Sequence, residues 1–259
     1  MATSTRRAIV AAMIARIVII AFALAAVSWG IFSLGISRQV GPVERIAKRV
    51  IYGEAFKAGA LDVLQPAMAS IEAAEDCQPN AQRAVAIIRL RELESAVSAA
   101  ARKSIDDNRI VLRKSIVRSL RCAPADPYLW LVLYWTDMTQ NGLNPRHFDY
   151  LRMSYQTGPN EAWVALKRNR LAMAAFSKLP HDLATMAANE FVGLLATRRA
   201  YPDAVRTMRG LDVSARDFIL PKLASLPDDI RRNFSRALYR AGVNVEVPGI
   251  PPLDPRPWR

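Results

Sequence analysis

The strongest hydrophobic pattern in the chain is an uninterrupted apolar run near its beginning. Residues 17–36 carry no charged side chain, and only Ser28 and Ser33 bear a hydroxyl group. As a helix rising about 1.5 Å per residue, this run would be about 30 Å long, which matches the hydrocarbon core of a bilayer. The pattern therefore predicts a transmembrane helix, with residues 1–16 as a short tail in front of it.

Basic residues flank this run on both sides. Arg6, Arg7 and Arg16 precede it and Arg38 follows, so the charge on its own is nearly balanced. Because the tail is too short to hold a domain, we expect it in the cytoplasm and the body in the periplasm, anchored in a bacterial inner membrane. A signal peptide cleaved near residues 23–25 is the alternative, although the apolar run continues well past that site.

Beyond the apolar run, hydrophobic positions recur every three or four residues, which is the period of an α-helix. This period covers residues 40–74, where Gly59 separates two helices, residues 81–103 as one long helix, and residues 109–121. Further helices are predicted over residues 183–197, over residues 202–211 and from Asp228 to Ala241. No convincing run has the alternating period of a strand, so we predict an all-α body over residues 37–242.

The last segment, residues 243–259, differs in composition from the body. Five prolines fall within its final twelve residues. Proline lacks a backbone N–H and cannot continue a helix, so the pattern predicts an extended proline-rich tail. Ile250 and Trp258 favour a tail that docks on the body over one that waits for a partner.

Three short corners recur along the body, each ending one helical run and preceding another. They are Cys77-Gln78-Pro79, Cys122-Ala123-Pro124 and Thr157-Gly158-Pro159, which lie 45 and 35 residues apart. Trp130 and Trp163 follow the second and third corners. A period of about 34 residues is that of tetratricopeptide repeats.

On these residues the chain resembles the tetratricopeptide-like class of helical hairpins, over about residues 105–210. In that class a proline after the second helix of one unit precedes an aromatic residue on the first helix of the next. The resemblance implies an α-solenoid whose concave surface binds peptides or protein partners.

The net charge of +13 favours anionic partners, such as acidic polysaccharide, lipid head groups or nucleic acid. Arginine far exceeds lysine and alanine is abundant, so a GC-rich coding sequence is an equally weighted explanation. Nucleic acid is disfavoured if the body lies outside the cytoplasm.

Two clusters are candidates for direct ligand binding. The basic face consists of Arg109, Arg113, Lys114, Arg118 and Arg121, and the aromatic cluster consists of Tyr128, Trp130, Tyr134 and Trp135. Together they predict a module that binds acidic polysaccharide, because cations attract carboxylates and flat rings stack on sugars. Core packing of the aromatic residues and a solvated basic face are the simpler interpretations.

Cys77 and Cys122 occupy equivalent corner positions. An oxidising compartment would allow them to pair as a disulfide, and two separate buried thiols are an equally weighted alternative. His147 and His181 fit helix starts and match no metal-ligand spacing.

The chain contains no catalytic motif that we recognise, so we expect neither an enzyme nor a cofactor or metal site. The sequence favours a membrane-anchored scaffold that mediates protein–protein contacts in cell-envelope assembly, for example in exopolysaccharide synthesis or export. The small pair Ala26 and Gly30 leaves a homodimer open.

Overall fold

The computed structural model describes residues 2–57, 59–197 and 201–252; within these, the side chains of residues 2–12, 15 and 32–39 are not described. The described residues form α-helices and short 3-10 turns without a strand, which confirms the predicted all-α class. The α-helices are α1 (Ala2–Ile51), α2 (Gln65–Ala73), α3 (Pro79–Ser98), α4 (Arg102–Cys122), α5 (Pro127–Asn141), α6 (Phe148–Thr157), α7 (Ala162–Ala174), α8 (His181–Ala196), α9 (Tyr201–Gly210), α10 (Val213–Ile219) and α11 (Asp228–Arg240).

The chain divides into two compact units, residues 1–122 and residues 123–259. The sequence predicted a single repeat domain over residues 37–242, whereas the boundary falls at the second Cys-x-Pro corner. The first unit contains α1 to α4, and the second contains α5 to α11.

Helix α1 contains the apolar run. Every large apolar side chain described between Met13 and Ile31 is more than half exposed, and Phe22 reaches 77%. Within the side chains that the structure describes, no helix has the length and apolar character needed to cross a bilayer. The transmembrane helix predicted over residues 17–36 is therefore not confirmed, and residues 32–36 of it lie outside the described side chains.

The first unit is built on the antiparallel hairpin of α3 and α4. The predicted long helix over residues 81–103 is wrong at its end, because α3 stops at Ser98. Ala100 adopts a left-handed conformation with φ 53°. Its N–H donates to the Val97 carbonyl over 3.0 Å, and the Ala101 N–H donates to the Ala96 carbonyl over 3.1 Å. These two bonds form a Schellman motif, which usually contains glycine, so the helix end has no obvious sequence signal.

The second unit packs around an apolar core drawn from α5 to α11. Phe191, Phe234, Leu151 and Leu183 are each no more than 2% exposed within it. Helix α5 begins at Pro127 because the Asp126 carboxylate accepts hydrogen bonds from two backbone amides of the first turn.

The described part of the tail, residues 243–252, is non-helical, as predicted. Val243 and Val247 are buried in the core of the second unit, and Arg231 of α11 donates to the Pro248 carbonyl over 2.5 Å. This part of the tail therefore docks on the body. Trp258, which also favoured docking, lies outside the described residues.

Candidate functional site

The basic face predicted on α4 is partly used within the first unit. Arg109 pairs with Asp106 over 3.2 Å, and Arg118 donates to the Ala74 carbonyl. Arg113, Lys114 and Arg121 are exposed. Only part of the predicted anion-binding face is thus presented to solvent, and polysaccharide binding there stays a prediction.

The aromatic cluster predicted on α5 packs against the second unit. Tyr134 is fully buried, and the Trp130 ring stacks on Tyr150 with a centroid separation of 6.1 Å. The Tyr128 ring lies 4.8 Å from that of Trp163. Trp135 is half-buried. These contacts explain the aromatic residues as packing residues, and the cluster belongs to a different unit from the basic face.

The structure joins Cys77 and Cys122 in a disulfide, with their Cα atoms 5.5 Å apart. Cys77 lies in the turn between α2 and α3, and Cys122 is the last residue of α4. The bridge therefore fastens the end of α4 to the start of the hairpin, at the residue where the first unit ends.

The two histidines stand at helix starts. His147 is buried just before α6, and the His181 ring contacts Phe218 at a centroid distance of 5.7 Å as α8 begins. Among the described residues, no three histidine, cysteine, aspartate or glutamate side chains are grouped as metal ligands would be.

A buried arginine organises the centre of the second unit. Arg168 of α7 is fully buried and donates to the Glu190 carboxylate of α8 from Nε over 3.0 Å and from Nη2 over 2.5 Å. It also donates to the carbonyls of Ser154 and Gly158, over 2.6 Å and 3.1 Å. Its guanidinium lies 4.2 Å from the centroid of the Tyr155 ring. Helices α6, α7 and α8 are therefore fastened to one point.

The carboxylate in this cluster is held in an apolar environment. Burial raises the pKa of Glu190 even though Arg168 opposes the shift. Burial likewise raises the pKa of Tyr155, whose hydroxyl donates to Glu190 over 3.3 Å. Because these donors and acceptors satisfy one another, we interpret the cluster as structural.

The Thr157-Gly158-Pro159 corner is part of the same framework. A Cβ on Gly158 would lie only 2.4 Å from Cγ of Pro127. The Ser154 hydroxyl donates to the Pro127 carbonyl over 2.7 Å. Glycine is therefore needed where the end of α6 approaches the start of α5, which gives this corner a packing role.

A groove that is open to solvent along one side lies next to this framework. Its volume is about 620 Å³, and it is lined by α7, α8, α9 and Leu211. Met173 and Phe191 are buried at its floor, whereas Leu166 is 43% exposed. Asn169 lines it too, and its side-chain amide donates to the Ala187 carbonyl over 2.9 Å, which fastens α7 to α8.

The groove also has a charged rim. Arg170 of α7 and Arg206 of α9 both line it and are exposed. Arg206 pairs with Asp203, which lies one turn earlier on α9. An apolar floor with a few charged groups at the edge is typical of binding grooves for peptides and small ligands.

The groove was not predicted from the sequence. Leu166, Arg170 and Met173 share one face of α7, but that helix also buries Val164, Arg168 and Ala172 on other faces. A helix with two partly apolar faces is the signal that could have indicated a second contact surface.

No protein-family model, curated protein or solved structure matches the chain.

Proposed function

We propose that the protein is a membrane-tethered helical scaffold that holds another protein through the groove formed by α7, α8 and α9. The observation that carries this proposal is the groove itself, with its apolar floor and charged rim. Protein interfaces combine a desolvated apolar centre with a polar edge in the same way.

The framework under the groove supports this role. The Arg168–Glu190 pair and the Asn169–Ala187 hydrogen bond join α7 to α8 before any partner arrives. A wall that is already ordered loses little conformational entropy on binding. Tetratricopeptide-like arrays use preformed helical surfaces in this manner, and the corners at residues 122–124 and 157–159 support the analogy.

The tether is proposed from the apolar run at residues 17–36 together with the exposed apolar side chains of α1. Side chains such as Phe22 and Ile17 are 77% and 62% exposed, and an apolar surface of that kind is stable only when lipid or another apolar surface covers it. We place the body in the periplasm of a bacterial cell, where it would serve an envelope assembly such as exopolysaccharide synthesis or export.

The groove is tested by photo-crosslinking in the native cells. A photoreactive amino acid replaces Ala174, which lines the groove and is exposed, or Arg236 of α11 as an exposed control that does not line it. A discrete protein adduct from position 174, absent from position 236 and lost when Gly210→Leu narrows the groove, is the expected result. Absence of an adduct at 174, or the same adducts at both positions, would contradict the proposal.

The tether has its own test. The full chain should stay with membranes in alkaline carbonate, whereas a chain that begins at residue 37 should be released. A reporter active only outside the cytoplasm, fused after Arg259, should be active. Release of the full chain would refute the tether, and an inactive reporter would place the body in the cytoplasm instead of the periplasm.

A further inference from the structure

The chemistry of the groove identifies the kind of segment that it takes. We infer that the groove binds a short peptide segment in which large apolar side chains are flanked by carboxylates. This inference rests on the proposed function and names the partner class for the same site.

Small residues in the lining leave space in the groove for apolar side chains of a ligand. Ala174 at the end of α7 and Gly210 at the end of α9 are exposed small residues in its lining, and Ala204 is a buried one. A Cβ on Gly210 would meet no atom within 4 Å, so the space above it is open. Small residues at the mouth and the buried side chains of Met173 and Phe191 at the floor leave room for bulky apolar anchors. Such anchors are what an amphipathic peptide inserts into a helical groove.

The charged part comes from the rim. Arg170 and Arg206 stand on two different helices that line the groove, whereas Asp203 is the acidic residue of the lining. The side chains of Arg206 and Asp203 are 72% and 59% exposed. An exposed ion pair of this kind is weak, so Arg206 can turn to a ligand carboxylate at little cost. The rim thus carries one positive charge in excess, and electrostatic complementarity favours an acidic segment.

The same lining disfavours a polyanion without apolar groups. Leu166, which is 43% exposed, and the half-buried Leu194 would stay uncovered beneath a chain of phosphates or uronic acids. A peptide that carries both apolar side chains and carboxylates covers the apolar floor and pairs with the arginines of the rim.

The inference is tested with three fluorescent peptides of about twelve residues, which is enough to carry anchors at helical spacing. The first combines leucine and phenylalanine anchors with glutamate flanks, the second replaces the glutamates by lysine, and the third replaces the anchors by serine. Binding to the full chain in detergent is measured by fluorescence anisotropy. We expect the acidic peptide to bind about tenfold more tightly than the lysine peptide, since two exposed charge contacts each contribute a few-fold. The serine peptide should not bind.

Variants of the protein locate the binding. Arg170→Glu with Arg206→Glu should reverse the preference between the acidic and lysine peptides. Asp203→Asn should tighten binding of the acidic peptide a few-fold because it removes the repulsive carboxylate. Gly210→Leu and, separately, Thr207→Phe should abolish it, because each adds bulk to a residue that lines the groove. The matched control is Arg232→Glu with Arg236→Glu, an equal charge reversal at exposed positions of α11, which should change nothing.

Equal binding of the acidic and lysine peptides, or acidic-peptide binding that survives both groove-filling variants, would overturn the inference. Vesicles with anionic lipids that compete with the acidic peptide at the groove would also overturn it, in favour of a lipid ligand. If none of the peptides binds but the adduct at position 174 still forms, the proposed scaffold function is supported and only the acidic, apolar partner class is refuted. If there is neither peptide binding nor an adduct at position 174, the proposed function is refuted as well.

Discussion

The two units each hold an arginine among several helices, but they expose it differently. Arg89 in the first unit is 12% exposed and shares Glu72 and Glu92, both over 3.1 Å. Arg168 in the second unit is fully buried with one carboxylate, Glu190. Water reaches the first cluster and helps to solvate its charges, whereas in the second cluster protein groups must do so. The stability of the second unit therefore depends on a single side chain more strongly than the stability of the first unit does.

Substitution of Arg168 should destabilise the protein more than any other change considered below. Arg168→Met should lower the free energy of unfolding of the second unit by about 3–5 kcal/mol, because it leaves the Glu190 carboxylate buried without its cation. Arg89→Met, the matched change in the first unit, should cost no more than about 2 kcal/mol. Denaturant titration in detergent checks the first value through tryptophan fluorescence, since Trp130, Trp135 and Trp163 all lie in the second unit. Hydrogen exchange in α2 and α3 checks the second value.

The pH dependence of the Arg168→Met variant separates an electrostatic loss from a packing loss. Burial raises the pKa of Glu190 in the folded protein, and loss of Arg168 raises that pKa further. For an acid whose pKa is higher in the folded protein than in the unfolded chain, the free energy of unfolding decreases as pH rises above the pKa of the unfolded chain. It increases again as pH falls. Destabilisation that stays constant between neutral and acidic pH would indicate lost packing alone. Equal losses at Arg89 and Arg168 would remove the contrast between the units.

The second effect concerns the disulfide, which is the strongest single link in the first unit. Cys77→Ser with Cys122→Ser should destabilise that unit by about 2–4 kcal/mol, since the bridge closes a loop between residues 45 positions apart. Hydrogen exchange should show the loss in α3 and α4 and leave α7 and α8 unchanged. Exchange that increases equally in both units would mean that they unfold together.

The third effect concerns a buried tyrosine in the second unit. The Tyr134 hydroxyl is buried and has no hydrogen-bond partner among the described atoms, and burial raises the pKa of Tyr134 to about 12. Because the unfolded residue ionises near its ordinary value, stability is complete below about pH 10 and is lost as pH rises from there towards 12. Tyr134→Phe should remove up to about 1.4 kcal/mol of this loss at pH 11, since one pKa unit corresponds to that energy.

The control for this alkaline effect is Tyr239→Phe, which removes the same hydroxyl group from a tyrosine that is 45% exposed rather than buried. The measurement is the denaturant midpoint between pH 8 and pH 11. Identical profiles for the original protein and Tyr134→Phe would show that water or another group satisfies the buried hydroxyl.

The smallest effect returns to the first unit. Ala100→Gly should stabilise the α3–α4 hairpin by about 0.5–1 kcal/mol, because glycine adopts the left-handed conformation of that corner without steric cost. Ala99→Gly, one residue earlier at a right-handed position, should destabilise it instead. Thermal unfolding of the two variants gives the sign, and a loss of stability at position 100 would contradict the Schellman assignment.

Local pattern was sufficient for some of the helices. The apolar periodicity predicted α8 and α9 within a few residues, and Asp228 and Asp229 fall in the first turn of α11 as a helix start requires. It failed at α3 and α4, where no glycine or proline indicates the break. The helix predicted over residues 109–121 accordingly begins too late, because α4 already starts at Arg102.

The candidate site was less predictable. The basic and aromatic residues were noted for their composition, yet Arg109, Arg118, Tyr134 and Trp130 are engaged within their own units. Arg170 and Arg206, which line the groove, are 36 positions apart and share no local pattern. Their proximity depends on how α9 packs beside α7.

The helical class, the apolar run and the non-helical tail could all be predicted from local sequence, because each depends on interactions between residues close in the chain. The folded protein was needed to show that Arg168 is buried against Glu190, that Cys77 is bonded to Cys122, and that α7, α8 and α9 enclose a groove. These features join residues from separate helices, and which helix faces meet is determined by packing of the whole unit rather than by local periodicity.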